Sequence, residues 1–364
     1  MKEPLFHIVK RTDIVWWRAW LIRILAIVLA LILSAVVTVI LTGLNPLKVF
    51  ESLVRGAVGT ERRILLLFQG TAILLCISLA VTPAFRMRFW NIGAEGQVLA
   101  GAMATATVMI FLGNKVPNAV LMVLLLLSAL FAGALWAVIP AVFKAKWNTN
   151  ETLFTLMMNY VAIQIVNYFV LEWSVPKGSG QIGIINASTQ AGWLPKVFGQ
   201  NYLINIIIVA VVTILIYVYL TYTKHGYEIS VVGESEKTAK YIGINVKKVI
   251  IRTMVLSGAI AGLAGFLLVS GTDHTVTSET AGGQGFTAIM VSWLAKFNPI
   301  VMFFSAFLIV FLQRGSVEIT TQFSLNKSFS DILTGIIIFF IIGCEFFINY
   351  RIIFRNSRKE VLHG

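Results

Sequence analysis

The chain has 364 residues, of which 58% are hydrophobic and 12% are charged, and its formal net charge is +13. Soluble domains are about half apolar and about a quarter charged, so this composition excludes a soluble protein and predicts a polytopic membrane protein. The basic residues mostly lie in short connections between apolar runs, which is typical of orientation in a membrane and argues against nucleic-acid binding.

The predicted elements begin with residues 1–20, an interfacial or cytoplasmic segment that lacks the layout of a cleavable signal peptide. Residues 21–350 follow as the transmembrane region of an all-α fold with about ten spanning helices. The predicted spans are 21–43, 64–83, 89–112, 118–143, 151–172, 203–222, 249–271, 284–297, 299–313 and 331–350. The eighth and ninth are short and are separated by "KFNP", so they form either two spans or one broken or re-entrant unit.

Charge predicts the orientation of these spans. Of the 29 Lys and Arg residues, 20 fall on segments that are inside when the N-terminus is inside. This bias predicts that both termini are cytoplasmic and that 351–364 is a basic cytoplasmic tail. Four of the remaining basic residues cluster in 44–63, which indicates an interfacial helix there.

Two hydrophilic connections are long. The extracytoplasmic one, 173–202, is rich in turn residues. The cytoplasmic one, 223–250, is the most charged block of the chain, and its "SEKTAKYIG" predicts a short helix capped by Ser235 and stopped by Gly243. This helix either packs into a groove on a soluble partner or belongs to a solvated loop that only sets topology.

Polar residues interrupt the apolar stretch "RMRFWNIGAEGQVLAGAMATA" at 86–106. An ionised carboxylate at a helix centre costs about 2.5–3.5 kcal/mol even on lenient insertion scales, so Glu95 is expected to face a bundle interior or an aqueous cavity. Asn91 lies four residues earlier and is predicted to share that helix face, whereas Gln97 points elsewhere. Two interpretations remain open: a polar cavity lining, or a tight helix crossing in which Glu95 bonds to a neighbouring backbone.

A second polar stripe lies in "NTNETLFTLMMNYVAIQIVNYF", where Glu151, Thr155 and Asn159 recur every four residues on one helix face. Asn159 is expected either to bond across a helix interface or to contact a ligand.

A third polar stretch, "GGQGF", opens the eighth predicted span and contains Gln284 and Phe286. It mirrors "GAEGQ" at the start of the third span. Glycine-interrupted helices in corresponding places are typical of transporters built from two inverted halves, so a two-half inverted repeat is predicted.

Catalytic patterns are missing from the sequence. It contains no phosphate-binding loop, HExxH, CxxC or GxSxG motif, and Cys76 and Cys344 lie in apolar runs without metal-ligand spacing. Asp273 and His274 are adjacent on the predicted outer side, where we expect a solvated loop. The chain is therefore predicted to be neither an enzyme nor a metal or cofactor binder.

Three motifs together resemble the permease subunits of ATP-binding-cassette importers, in the branched-chain amino acid/ribose-type branch that carries nucleosides and simple sugars. They are "FWNIGAEGQVLAGA", "NETLFTLMMNYVA" and "VVGESEKTAKYIGINVKKVIIRTMVLSGAIAGLAG", and the similarity covers most of 64–345. Relatives are more glycine-rich where this chain has "MVSWLAKFNP", so the resemblance does not imply the course of the eighth and ninth spans.

The resemblance implies a multi-subunit importer in a prokaryotic cell membrane. Its parts are two permeases, identical or paralogous, two cytoplasmic P-loop ATPase subunits that bind the ATP, and an extracytoplasmic substrate-binding protein. Residues 233–247 would sit in a groove of the ATPase, with contacts from Glu234, Ala239, Tyr241, Gly243 and Ile244.

The resulting hypothesis is alternating access for a nucleoside, or a simple sugar, driven by the ATPases. The predicted substrate path contains Asn91, Glu95, Gln97, Asn159, Gln284 and Phe286. One alternative is a self-sufficient ion-coupled transporter, for which Glu95, Glu345 and a few boundary acids offer a thin charge network. The other is an integral membrane enzyme, which would need clustered Asp, His or Arg at one membrane face.

Overall fold

The computed structural model of the chain describes residues 6–11 and 15–354. These residues form thirteen α-helices and one two-stranded sheet, arranged in two compact units: residues 1–64 with 311–364, and residues 65–310. Residues 1–5 and 12–14 of the predicted N-terminal segment 1–20, and most of the predicted basic tail 351–364, lie outside the described residues. The all-α polytopic prediction is confirmed.

The first unit contains both ends of the described chain. Its helices are α1 (Trp16–Thr42), α2 (Pro46–Val58), the last part of α12 (Pro299–Phe323) and α13 (Lys327–Asn349). The strands β1 (Phe6–Lys10) and β2 (Tyr350–Phe354) pair antiparallel. Because the strands that flank α1 and α13 are hydrogen-bonded to each other, these two strands lie at the same end of the unit. That both termini are cytoplasmic stays a prediction.

A charge pair lies between the two long helices of this unit. Arg23 of α1 donates to the Glu345 carboxylate of α13 at 2.8 Å. A charged side chain in a membrane helix normally pairs with an opposite charge, so the ion pair with Arg23 explains the presence of Glu345 in α13.

The segment 44–63 contains a separate amphipathic helix, α2, which carries Lys48 and Arg55, whereas Arg62 and Arg63 belong to the first turn of α3 (Glu61–Arg86). The N-terminus of α2 is capped by Asn45, and one face is buried through Val49, Leu53 and Ala57 while Lys48 points out. The predicted interfacial helix is thus present as a helix, and its place at the membrane surface stays a prediction.

The second unit contains the remaining helices. They are α3 (Glu61–Arg86), α4 (Ala94–Leu112), α5 (Asn118–Trp147), α6 (Glu151–Trp173), α7 (Leu203–Tyr222), α8 (Lys224–Glu234), α9 (Glu236–Tyr241), α10 (Val246–Leu268) with a π-helical turn (Val269–Asp273), α11 (Gln284–Leu294) and most of α12. The apolar windows of α3 and α10 are 72% and 83% buried, against 22% for α7, so α3 and α10 form the centre of this unit.

The centre is held by close contact between helix backbones. Gly262 of α10 packs against Gly101 of α4, where an added Cβ on Gly101 would lie 2.5 Å from the Gly262 Cα, and against Ala129 and Gly133 of α5. Small residues let membrane helices approach until their backbones touch, which replaces the hydrophobic driving force that lipid does not supply.

The predicted eighth span, 284–297, is wrong as a full membrane helix. Among the described residues nine helices are long and apolar enough to span, and α11 is not one of them. Its 11 residues rise only about 16 Å, roughly half of the hydrocarbon thickness. The predicted third span also begins too early, because α4 starts at Ala94 and not at residue 89.

The chain nevertheless crosses the second unit between α10 and α12. The His274 carbonyl accepts from the Ile185 backbone in the 174–202 connection, whereas the Phe297 ring stacks on Phe85, next to the Arg86 end of α3. Arg86 in turn donates to the Leu220 carbonyl at the opposite end of α7 from that connection. Between the end of α10 and α12 the chain therefore consists of turns and bends over 274–283, followed by the short helix α11.

The expectation of a solvated loop at Asp273 and His274 agrees with the exposure of Asp273 but not with the packing of His274, which is half-buried. Its imidazole stacks on Trp193 with ring centroids 3.7 Å apart, and the Trp193 indole donates to the Ile185 carbonyl at 2.9 Å. Burial lowers the pKa of His274. This stack fastens the 174–202 connection to the end of α10.

Candidate functional site

The candidate site begins in the turn between α3 and α4. Residues 87–93 are not helical, and Arg88 adopts a left-handed backbone conformation with φ +59°. Asn91 therefore precedes the helix that carries Glu95, and the predicted common helix face of Asn91 and Glu95 is wrong.

Asn91 is instead the hub of a buried amide network. It donates to Ser257 of α10 at 3.1 Å and accepts from the Gln97 amide at 3.1 Å and from the Gly93 backbone at 3.1 Å. Asn91 and Gln97 have almost no exposed surface. Since a buried amide is costly unless its donors and acceptors are paired, this network fixes the turn against α10.

Glu95 binds the start of α11. Its two carboxylate oxygens accept from the backbone N–H groups of Gly283 and Gly285, each at 2.8 Å. The first N–H groups of a helix have no intrahelical partner and attract negative charge, so the carboxylate caps α11 from another helix. A side chain at residue 285 would overlap Glu95, and Gly283 has φ +74°, so glycine is required at both positions.

Helix α6 holds the other side of the turn. Asn159 donates to the Ile92 carbonyl at 2.9 Å and accepts from the Gly96 N–H at 2.9 Å, and Thr155 accepts from the Ile92 N–H at 3.2 Å. The predicted stripe on α6 is thus a face that packs on the start of α4. Its first member, Glu151, pairs with Lys144 at 2.9 Å.

The structure brings the six predicted path residues into one region and divides them into two kinds. Asn91, Glu95, Gln97 and Asn159 are at most 6% exposed and are bonded to protein groups. Gln284 and Phe286 lie on the first turn of α11, where Phe286 is exposed and the Gln284 side-chain oxygen has no partner among the described residues.

Sequence reasoning missed Ser257 as the partner of Asn91, and the two glycine N–H groups as partners of Glu95. The signal for Ser257 was available, because it adjoins the run of small residues with which α10 approaches α4 and α5.

The charged block 223–250, predicted to be cytoplasmic, contains two helices, α8 and α9. Ser235 caps α9 by accepting from the Thr238 N–H at 3.2 Å, and Gly243 ends it with φ +85°, as predicted. Tyr241 is 92% exposed, whereas Ala239 is fully buried and lies on the packed face of α9. Glu234 and Gly243 are exposed and Ile244 is half-buried.

Helix α8 contacts the spanning helices at two places. Gly233 packs directly against the Arg86 carbonyl, with no room for a side chain. Glu228 accepts from Arg252 of α10 at 2.8 Å, and this hydrogen bond lowers the pKa of Glu228. The Arg86 contact lies immediately before the turn that holds Asn91.

Replacing Glu228 with glutamine is expected to lower the free energy of unfolding at pH 7 by about 1 kcal/mol, because the charge pair with Arg252 is lost. Since the folded-state pKa is lowered, the stabilisation is complete above the ordinary value of 4.5 and is lost as the pH falls through the lowered value. Thermal unfolding in detergent at several pH values measures this difference.

The matched control is Glu236→Gln, an exposed carboxyl on the neighbouring helix α9. It should unfold like the unmodified chain at every pH. Equal stability of Glu228→Gln and the unmodified chain at pH 7 would show that the pair does not hold α8 to α10.

Comparison with known proteins adds to this geometry. The sequence profile described as branched-chain amino acid transport system / permease component matches residues 63–342. A nucleoside ABC transporter permease protein of Lactococcus lactis is 30% identical over 82% of this chain and 84% of its own length. A guanosine ABC transporter permease protein of Bacillus subtilis is 31% identical over 72% and 76%, and a glucose ABC transporter permease protein of Haloferax volcanii is 29% identical over 77% and 76%. No solved structure matches the chain.

Proposed function

The chain belongs to the branched-chain amino acid transport system / permease component family, and from this premise we propose that it forms the translocation path of an ATP-driven importer whose substrate is a nucleoside. It is a multi-pass protein of the cell membrane and a non-enzymatic subunit of an ABC transporter. Two of the three relatives above are named for guanosine or nucleosides and the third for glucose, so a simple sugar is the second candidate.

One observation carries the proposal: a short cytoplasmic helix presents an aromatic side chain to solvent while its underside is packed on the membrane helices. Tyr241 projects from α9, and Gly233 and Glu228 anchor the adjoining α8. An exposed tyrosine on a rigid projection is the kind of anchor that fills a pocket on a partner. The partner is a P-loop ATPase subunit, whose contacts also include Glu234, Gly243 and Ile244.

The contacts supply a route from that helix to the path. A displacement of α9 moves α8, whose Gly233 contacts the Arg86 carbonyl. It therefore also moves the adjoining turn that contains Asn91. Glu95, four residues further, holds the start of α11. A shift of the turn therefore moves α11, whose Gln284 and Phe286 border the path. Asn91, Gln97 and Asn159 act as positioning residues in this mechanism.

The rival functions find less support. An ion-coupled transporter needs charges free to bind an ion within the spans, but Glu95 is bonded to two backbone groups and Glu345 to Arg23. The complete importer further includes a second permease, identical or paralogous, and an extracytoplasmic substrate-binding protein.

The test is uptake of guanosine and glucose by the complex reconstituted in liposomes, with ATP supplied to the ATPase side. We expect Tyr241→Asp to reduce co-purification of the ATPase and ATP-driven uptake by at least about tenfold, since a charge replaces a buried interface aromatic. The stability of the permease itself should not change.

Phe198→Asp is the matched control, because Phe198 is 94% exposed in the opposite connection, 174–202. It should retain ATPase binding. Uptake that follows an ion gradient without an ATPase, or normal ATPase binding by Tyr241→Asp, would contradict the proposal.

A further inference from the structure

A polar stripe on the outward face of α6 has no role in the contacts described so far. Tyr160, Gln164 and Tyr168 are spaced four residues apart and all three are exposed. They share one continuous, open face of the helix with Val161, Ile165 and Phe169, whose side chains make the rest of this face apolar. The opposite face of the same helix, with Thr155 and Asn159, is buried against the start of α4.

Gln164 lies near the middle of a helix of membrane-spanning length, so we expect it to be far from both membrane surfaces. It is the fourteenth of the 23 residues of α6, about 20 Å along the helix axis from Glu151. Its amide makes no hydrogen bond to any residue that the structure describes. Lipid cannot satisfy an amide, so this face requires a polar occupant.

Helix α7 of the same unit is a suitable comparison, because it is also of membrane-spanning length. Between residues 204 and 219 its exposed positions are all apolar, and Ile214 is 63% exposed. The stripe on α6 differs from this pattern at mid-membrane depth, where Tyr160 is 59% exposed.

The chemistry of the stripe fits a planar heteroaromatic ring. Tyrosine faces stack on such rings regardless of their substitution, and the backbones of Tyr160 and Tyr168 lie about 6 Å along the helix axis on either side of Gln164. The glutamine amide offers both donors and an acceptor to a ring edge. A sugar without a base would use the amide but not the stacking faces.

We infer that Tyr160, Gln164 and Tyr168 form a contact surface for the base of the transported nucleoside. This inference rests on the proposed function and deepens it, because it assigns the base, rather than the ribose, as the part that the permease recognises. The tyrosines stack on the base, and the Gln164 amide replaces water as the hydrogen-bond partner of its edge at mid-membrane depth.

The first measurement is guanosine uptake by the reconstituted complex. Gln164→Leu and Tyr160→Leu are each expected to reduce uptake about tenfold, with ATPase co-purification and basal ATP hydrolysis unchanged. The matched control is Phe131→Leu, which removes an exposed mid-span aromatic from α5 and should leave uptake within about twofold. Unchanged guanosine uptake in both stripe variants would overturn the inference.

The second measurement is water access to the stripe in the assembled complex. Gln164→Cys is expected to react with a polar, membrane-impermeant thiol reagent at least about tenfold faster than Ile214→Cys, and guanosine should slow the reaction, because thiols react as thiolates in water. The native Cys76 and Cys344 are buried and add little background. An equally slow reaction at both positions would show that the stripe faces lipid. If the second permease blocks the reaction at Gln164→Cys and guanosine has no effect on it, the stripe is a subunit interface. Either result overturns the inference.

The two levels of the proposal fail separately. If the unmodified complex takes up neither guanosine nor glucose, the proposed function is wrong. If it takes up guanosine and the stripe variants do so equally well, only the assignment of the stripe is wrong.

Discussion

Replacing Glu95 with alanine is expected to reduce uptake at least a hundredfold and to destabilise the permease by about 3–5 kcal/mol. The carboxylate accepts two backbone hydrogen bonds at the start of α11, and each hydrogen bond to a charged group contributes about 1.5–3 kcal/mol. Alanine would leave the N–H groups of Gly283 and Gly285 without a partner in a buried site. The measurements are guanosine uptake and the thermal unfolding midpoint in detergent.

Glu95→Gln removes the negative charge of the side chain and keeps its shape. The amide oxygen can accept from one glycine N–H, but its NH2 group would face the other N–H, so an intermediate loss of stability is expected. Glu172→Gln is the control, because Glu172 is an exposed carboxyl at the end of α6 and should behave like the unmodified chain. Should Glu95→Ala lose uptake and yet unfold at the normal temperature, the residue would contact substrate and its role in anchoring α11 would be wrong.

Replacing Gly262 with valine is expected to prevent folding, and even Gly262→Ala should destabilise the protein by about 3 kcal/mol or more. An added Cβ would collide with the Ala129 carbonyl, and backbone cannot move aside as a flexible side chain can. The yield of monodisperse protein and its unfolding midpoint in detergent measure the effect.

The matched control lies in another spanning helix. Gly335 and Gly343 of α13 have no atom within 4 Å of an added Cβ, so alanine there is expected to be neutral or to stabilise the helix by up to about 1 kcal/mol. A Gly262→Ala protein as stable as Gly335→Ala would mean that α10 does not touch α5 at this point.

Hydropathy and charge were sufficient for most of the architecture. Nine of the ten predicted spans correspond to membrane-length helices, because a run of about 20 apolar residues has few stable conformations other than a helix in lipid. The Ser235 cap and the Gly243 stop of α9 were also predictable, since both act within one helical turn. These features depend on local sequence alone.

The site was less predictable because its partners are remote in sequence. The hydrogen bonds of Glu95 reach residues 188 and 190 positions away, and a one-dimensional pattern does not encode which helix end will lie there. The same limit explains the error at Asn91. Apolar residues continue through the turn at 87–93, so composition does not reveal that helix α4 begins only at Ala94. The inverted repeat suggested by "GAEGQ" and "GGQGF" stays a prediction.

The pairing of β1 with β2 has a consequence for biosynthesis. The first strand and the first spanning helix emerge from the ribosome some 340 residues before their partners, which at about 5–20 residues per second is a delay of tens of seconds. During that interval Arg23 resides in the nascent chain without the Glu345 carboxylate that later neutralises it. The pairing of α1 with α13 can therefore form only after most of the chain has been synthesised, and chains that end before residue 345 are expected to lack the stabilisation that this pair supplies.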